Sequence, residues 1–157
     1  MDEDSKMFGM QIRRIKQLSF FVNEALYKLN KAENSEIKLD YRLGFITEND
    51  IVDFTLKISF FYSTSKTIYL ESEIQNIFQI KDLKNFVDET GKMKLPDNAL
   101  ISMVSLSISH ARAITANNVA GTLLNDIILP IFDGVLVAKQ FFGNINSQIN
   151  TSIQPSL

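Results

Sequence analysis

Residues 53–80 read DFTLKISFFYSTSKTIYLESEIQNIFQI, and this stretch decides the fold. Phe54, Leu56, Ile58, Phe60 and Tyr62 recur at every second position, opposite Thr55, Lys57 and Ser59. That is the period of a strand with one buried face. A short polar break, Ser63–Lys66, precedes a second run, Thr67–Ile80, in which Leu70, Ile74 and Phe78 oppose Glu71, Glu73 and Gln75. Two such runs joined so closely pair antiparallel. Phe54, Leu56, Ile58 and Phe60 are expected to face the core.

Upstream, Gln11–Val22 reads as a first strand. Ile12, Leu18, Phe20 and Val22 share one parity while Ile15 and Phe21 take the other, which implies a bulge or cover on both faces. Asn23–Leu29 reads either as a helical turn or as an extended continuation, and Lys31–Ser35 as a polar connector. Ile37, Leu39, Tyr41, Leu43 and Phe45 then alternate with Lys38, Asp40 and Arg42, giving a strand with one wet face, and Thr47–Asp50 is a turn. Four strands with short connections imply an antiparallel meander or a close variant.

Downstream the period changes. Lys81–Lys94 is charged and contains Gly91, so it reads as a loop or a short helix. Pro96 or its neighbours open a long helix, with Asp97 at its positive end. Leu100, Val104, Ile108 and Ala111 form its stripe, widened by Ile101, Met103 and Ile114. The opposite face carries Ser102, Ser105, Ser107 and Ser109, and Arg112 is the one formal charge between Asn98 and Asn125. Solvated helix faces normally carry charge. Either this helix is buried within its own subunit, or it lies between the sheet and another subunit. The second is expected, because a domain of this size has few elements left to cover that face. Ser102, Ser105, Ser109 and Arg112 are the interface candidates. Asn117, Asn118 and Gly121 end the helix, and Pro130 introduces a second, Ile131–Phe142.

The expected class is therefore α+β: a four-stranded antiparallel sheet followed by one long and one short helix, oligomerising through the long helix. A flexible acidic N-terminus over 1–9, one domain over 10–142 and a polar mobile tail over 143–157 complete the organisation.

A chain of 157 residues suits a single core. A net charge of −2 gives no electrostatic reason to bind nucleic acid, and Arg13, Arg14 and Lys16 are too few for a phosphate surface. The absence of cysteine excludes disulfides and thiolate metal sites. MDEDSKMFGM has no apolar core of a secretory signal, and Val119–Ala138 is broken by Asn125, Asp126, Pro130 and Asp133, so a cytoplasmic protein is expected. No cofactor or metal is implied. His110, the sole histidine, has Ser107 and Ser109 near it, but helical neighbours do not make a triad. Asp50 with Asp53, and Glu71 with Glu73, read as solvated surface pairs. The residues point away from an enzyme.

They point instead to a surface that holds other chains. Twelve Phe and four Tyr supply large adaptable walls. Phe21, Phe61 and Tyr69 lie on parities the core does not need, which makes them groove candidates. Phe141 and Phe142 either line a groove or cap the second helix. Open strand edges offer a second mode, in which client backbone extends the sheet.

Several segments together resemble the SecB family of export chaperones and SecB-like proteins. FGMQIRRIKQLSF, residues 8–20, resembles the family's opening strand. Glu73, Ile74, Gln75, Ile77, Phe78 and Ile80 resemble the close of its ribbon. Ser109–Ala113, with Arg112, is similar to a Ser-Arg-Gly helix end in which Ala113 replaces the glycine; Gly121-Thr122 is the alternative anchor. Leu129-Pro130 resembles the proline before the last helix. The resemblance spans Phe8–Phe142. It implies a homotetramer, a dimer of dimers, that holds unfolded or precursor polypeptides without ATP in long apolar grooves. It also implies delivery to the translocase motor SecA or, in members beside toxin–antitoxin systems, protection of one antitoxin. Glu73 sits where the resemblance places the ribbon's acidic docking residue, and Glu71 adds a second charge on the same strand face. The first-strand acidic positions are Gln17 and Phe21 here, so the resemblance carries client holding further than docking to SecA.

Overall fold

The computed structural model describes residues 9–29 and 33–143. The expected N-terminal segment, apart from Gly9, and the expected tail, apart from Gly143, lie outside the described residues. The elements run β1 (Met10–Val22), α1 (Glu24–Leu29), β2 (Ser35–Ile46), β3 (Ile51–Tyr62), β4 (Ile68–Ile80), α2 (Asp97–Val119) and α3 (Gly134–Phe142). The α+β class is as the sequence implied: one antiparallel sheet, then a long and a short helix.

The strand order is β1-β4-β3-β2, so the arrangement is the close variant rather than a plain meander. β2, β3 and β4 follow one another as hairpins, but β1 lies beside β4. Residues 23–34 carry the chain past the ends of β4 and β3, about 14 Å at the usual strand spacing. α1 occupies that crossing: Asn23 N–H donates to Tyr69 O at 2.8 Å, and the Tyr27 ring lies 5.6 Å from that of Tyr69. β1 and β2 are left as the two edges. β1 shifts register against β4 twice, between Ile12 and Arg14 and between Gln17 and Ser19, which accounts for its mixed parity.

The core lies between one face of the sheet and α2. Phe54, Leu56 and Ile58 of β3 and Leu70, Ile74, Phe78 and Ile80 of β4 are fully buried there, against Leu100, Met103 and Val104. α2 is long and apolar enough to cross a membrane by length and composition, yet its apolar side is packed on the sheet. Ser107 does not belong with the outward serines. It sits between Val104 and Ala111 at helical spacing, so it is buried with them.

The loop after β4 is pinned at both ends. Asp50, in the left-handed conformation after β2, accepts from Leu83 N–H at 2.9 Å and Asp82 N–H at 3.3 Å. Asp88 accepts from Thr90 Oγ1 at 2.6 Å and from the N–H groups of Lys92 and Thr90, with Lys94 Nζ at 3.2 Å. These donors hold its carboxyl far below the ordinary range. Pro130 does not open α3; residues 131–133 stay non-helical, and Asp133 caps the helix by accepting from Val135 N–H at 2.8 Å and Leu136 N–H at 3.3 Å.

Candidate polypeptide-binding groove

β2 pairs with β3 on one side and forms a sheet edge on the other. Ser63 N–H donates to Asn34 O at 2.8 Å, in the same register as the β2–β3 ladder. Hydrogen-bonded pairs alternate along an antiparallel ladder, so the main-chain groups of Ile37, Leu39, Tyr41 and Leu43 are those aimed away from β3. The side chains of these residues lie on the helix side of the sheet. α3 and the residue run before it stand opposite. Ile37, Leu39 and Tyr41 form one wall, and Phe132, Val137 and Phe141 the other, around a groove of about 450 Å³ that Lys38, Asp40 and Gln140 also line.

Tyr41 holds the two walls in place. Its ring stacks on Phe141 at 4.5 Å, meets Phe142 edge-on at 5.1 Å and lies 5.9 Å from Phe54. Its hydroxyl donates to Phe141 O at 2.8 Å. Burial raises the pKa of that hydroxyl, which keeps it a donor. A second depression, lined by Gly9, Met10, Gln11, Arg13, Asp50, Gln79 and Lys81, lies at the start of β1.

The aromatic candidates fall into separate places. Phe141 lines the groove, while Phe142 is 8% exposed and caps α3 against Tyr41. Tyr69 is 2% exposed, so it is not available as a groove wall. The register slips between Phe60 and Phe61, and Tyr69 is the extra residue of β4 at that point. The bulge turns Tyr69 onto the core side, where it lies 4.6 Å from Tyr62 and 6.2 Å from Phe60 and bonds Ser35 Oγ at 3.0 Å. Phe21, 48% exposed, and Phe61, half-buried beneath Lys66 Nζ, stay on the outer face of the sheet, away from the groove. The sequence did mark Ile37, Leu39 and Tyr41 as one face, but nothing local shows that β2 becomes an edge.

Glu71 and Glu73 share the outer face, as their spacing required. Lys57 Nζ lies 3.1 Å from Glu71, which also accepts from Ser59 Oγ at 3.1 Å, and Arg42 pairs with Glu73. Each carboxylate thus has a cationic partner on the same face of the sheet. On α2, Ser102 is half-buried and Ser109 is exposed, donating to Ser105 O at 2.9 Å. Ser105 meets α3 of its own chain, because a Cβ built on Gly134 would fall 1.9 Å from its Oγ. Arg112 donates to Pro130 O at 2.6 Å and so ties the α2–α3 connector to the helix.

His110 contacts Asn76, not a carboxylate. Its Nδ1 lies 2.6 Å from Asn76 Oδ1, and the Asn76 amide nitrogen is directed at the carbonyls of Phe54 and Ile74, each at 3.4 Å. Nδ1–H is thus the donor. Burial lowers the His110 pKa below 6.5, so the folded state favours neutral imidazole. A histidine with a depressed folded pKa contributes stability that is present above the unfolded value of 6.5 and lost as pH falls through the folded value. The His110→Gln variant should therefore lose less stability than the parent between pH 7 and pH 5 in urea titrations. Equal losses in both would refute the assignment. Among the described residues, no group of three or more His, Asp or Glu could hold a metal ion.

No family model and no curated protein matches the sequence. Among solved structures, the chain is similar to a SecB-like chaperone of Mycobacterium tuberculosis in complex with a peptide from an antitoxin, at 10% identity and a TM-score of 0.49, covering 78% of this chain and 90% of that one. It is also similar to a protein of unknown function from Streptococcus agalactiae, at 9% identity and a TM-score of 0.32, covering 79% of this chain and 98% of that one.

Proposed function

We propose that this protein is a cytoplasmic, ATP-independent holding chaperone that binds unfolded or precursor polypeptide in extended form along β2. The observation that carries this reading is the coincidence of a partly apolar groove with an open strand edge: outward main-chain groups run beside the same Ile37, Leu39 and Tyr41 whose side chains line the wall. Each client side chain fully buried there contributes about 1.5–3 kcal/mol. Each main-chain hydrogen bond adds roughly 1 kcal/mol and asks for no particular sequence. Such a site suits many chains loosely rather than one substrate chemically.

The chain is further proposed to act as a homo-oligomer. Ile12, Ile15 and Leu18 of β1, with Leu106 of α2, are each between 36% and 41% exposed, and the adjoining Ser109 is small enough for close approach. Delivery to SecA is not part of the proposal, because Gln17 and Phe21 stand where the resemblance expects acidic docking residues on the first strand.

The test is suppression of aggregation of a chemically unfolded client by the purified protein at near-equal molar ratio. The Leu39→Lys/Phe132→Asp variant puts a charge on each wall and should weaken client binding at least tenfold, with urea midpoints confirming that it still folds. Full protection by that variant would remove the groove from the function. Capture of one dominant host protein, rather than many, would identify a dedicated protector, such as one guarding an antitoxin.

A further inference from the structure

The edge along which the groove runs also decides which polypeptides fit it. The main-chain groups of Ile37, Leu39, Tyr41 and Leu43 point away from β3, because Asn34 and every second residue after it bond to that strand. The same four side chains are half-buried on the helix side of the sheet. A chain added antiparallel to this edge places one residue directly opposite each of them, and directly opposed residues project to one face. Its alternate side chains therefore enter the groove beside Ile37, Leu39 and Tyr41 and face the wall of α3. The residues between them fall on the outer face, beside Glu36, Lys38, Asp40 and Arg42. That row is already paired: Lys38 lies 3.0 Å from Asp40, Glu36 lies 3.7 Å from Lys66, and Arg42 pairs with Glu73. It asks for polar neighbours and favours neither sign of charge.

We propose that the groove selects client segments with apolar residues at every second position and polar residues between them. This rests on the groove being the polypeptide site. A segment of amphipathic-helix pattern, apolar at i, i+3, i+4 and i+7, divides those residues between the two faces once it is extended. Half of them then stand beside the charged row. Kept as a helix, the same segment bonds its own main chain and leaves the β2 edge unmatched. The favoured clients are therefore segments destined for sheets with one wet face, the pattern that β2 itself carries. Each further apolar side chain fully buried in the groove is worth about tenfold or more in affinity.

Two fluorescent nine-residue peptides of one composition, with two Ile, two Val, two Ser, two Lys and one Gln, supply the test. One is apolar at its second, fourth, sixth and eighth positions, the other at its first, fourth, fifth and eighth. In anisotropy titrations the alternating peptide should bind the full chain about tenfold more tightly or better. The Leu39→Lys/Phe132→Asp variant should lose that preference. N-methylation of the fourth residue of the alternating peptide, whose N–H faces β2, should weaken binding about tenfold, whereas N-methylation of the fifth, whose N–H faces water, should cost less than about threefold. Equal affinity of the two peptides would overturn the proposal, and so would equal effects of the two methylations; holding then stands on its own aggregation test. If neither peptide binds while an unfolded client is protected, the selection fails and holding stands. If neither peptide binds and no client is protected, holding itself fails.

Discussion

Phe54→Ala will lower the unfolding free energy by about 3–5 kcal/mol, the usual cost of deleting a large buried ring. Phe54 is fully buried in the first half of β3, between Leu43 of β2 and Asn76 of β4 in the ladders. Its ring lies 5.9 Å from Tyr41 and 6.4 Å from Phe141, so the cavity would open beneath both the sheet and the groove wall. β3 is hydrogen-bonded to β2 on one side and to β4 on the other, so its backbone cannot collapse into the space. Against a typical domain stability of about 5–15 kcal/mol, this is a large fraction. Urea denaturation should show a fall in midpoint at nearly unchanged slope. Phe21→Ala is the control: that ring is 48% exposed on an edge strand, and its loss should cost less than about 1 kcal/mol. Comparable losses at the two positions would mean that the core is not where the sheet places it.

Gly134→Val will destabilise the chain by about 3 kcal/mol, the upper end of the overpacking range, and will detach α3 from α2. The geometry leaves no room at this crossing. A Cβ on Gly134 would stand 1.9 Å from Ser105 Oγ, 3.1 Å from its Cβ and 3.5 Å from its Cα. Rotating the hydroxyl away relieves the first clash but not the second, which belongs to the helix itself. Because Val137 and Phe141 of α3 form one wall of the groove, the same change should weaken client binding along with stability. Gly134→Ala is the milder form, and combining it with Ser105→Gly should recover most of the loss, since the distance left to the backbone of residue 105 is an ordinary van der Waals separation. A Gly134→Ala/Ser105→Gly chain no better than Gly134→Ala alone would show that something other than this crossing sets the cost.

Much of this architecture was legible in the residues. Alternation at Phe54–Tyr62 and Ile37–Phe45 gave strands because period-two burial has no other regular solution, and the Leu100–Ala111 stripe gave a helix for the corresponding reason. Single residues were harder. Tyr69 has the parity of an outward residue, and the bulge opposite Phe60 and Phe61 that turns it inward has no local signature. Pro130 is a common helix opener, yet the cap lies three residues on, because only Asp133 accepts from the free N–H groups of Val135 and Leu136. Ser107 shows how a hydroxyl can follow its helical position into the core against its own polarity.

The local periods of the chain by themselves fixed which segments are strands and helices and which side of each is apolar. Such preferences depend only on neighbours within a few residues. The tertiary arrangement alone placed β1 beside β4 and so left β2 as an open edge facing α3. That outcome depends on long-range pairing, in which β1 gains a full ladder with β4 and the chain crosses the sheet through α1, and no short stretch of sequence encodes which of two compatible neighbours a strand will take.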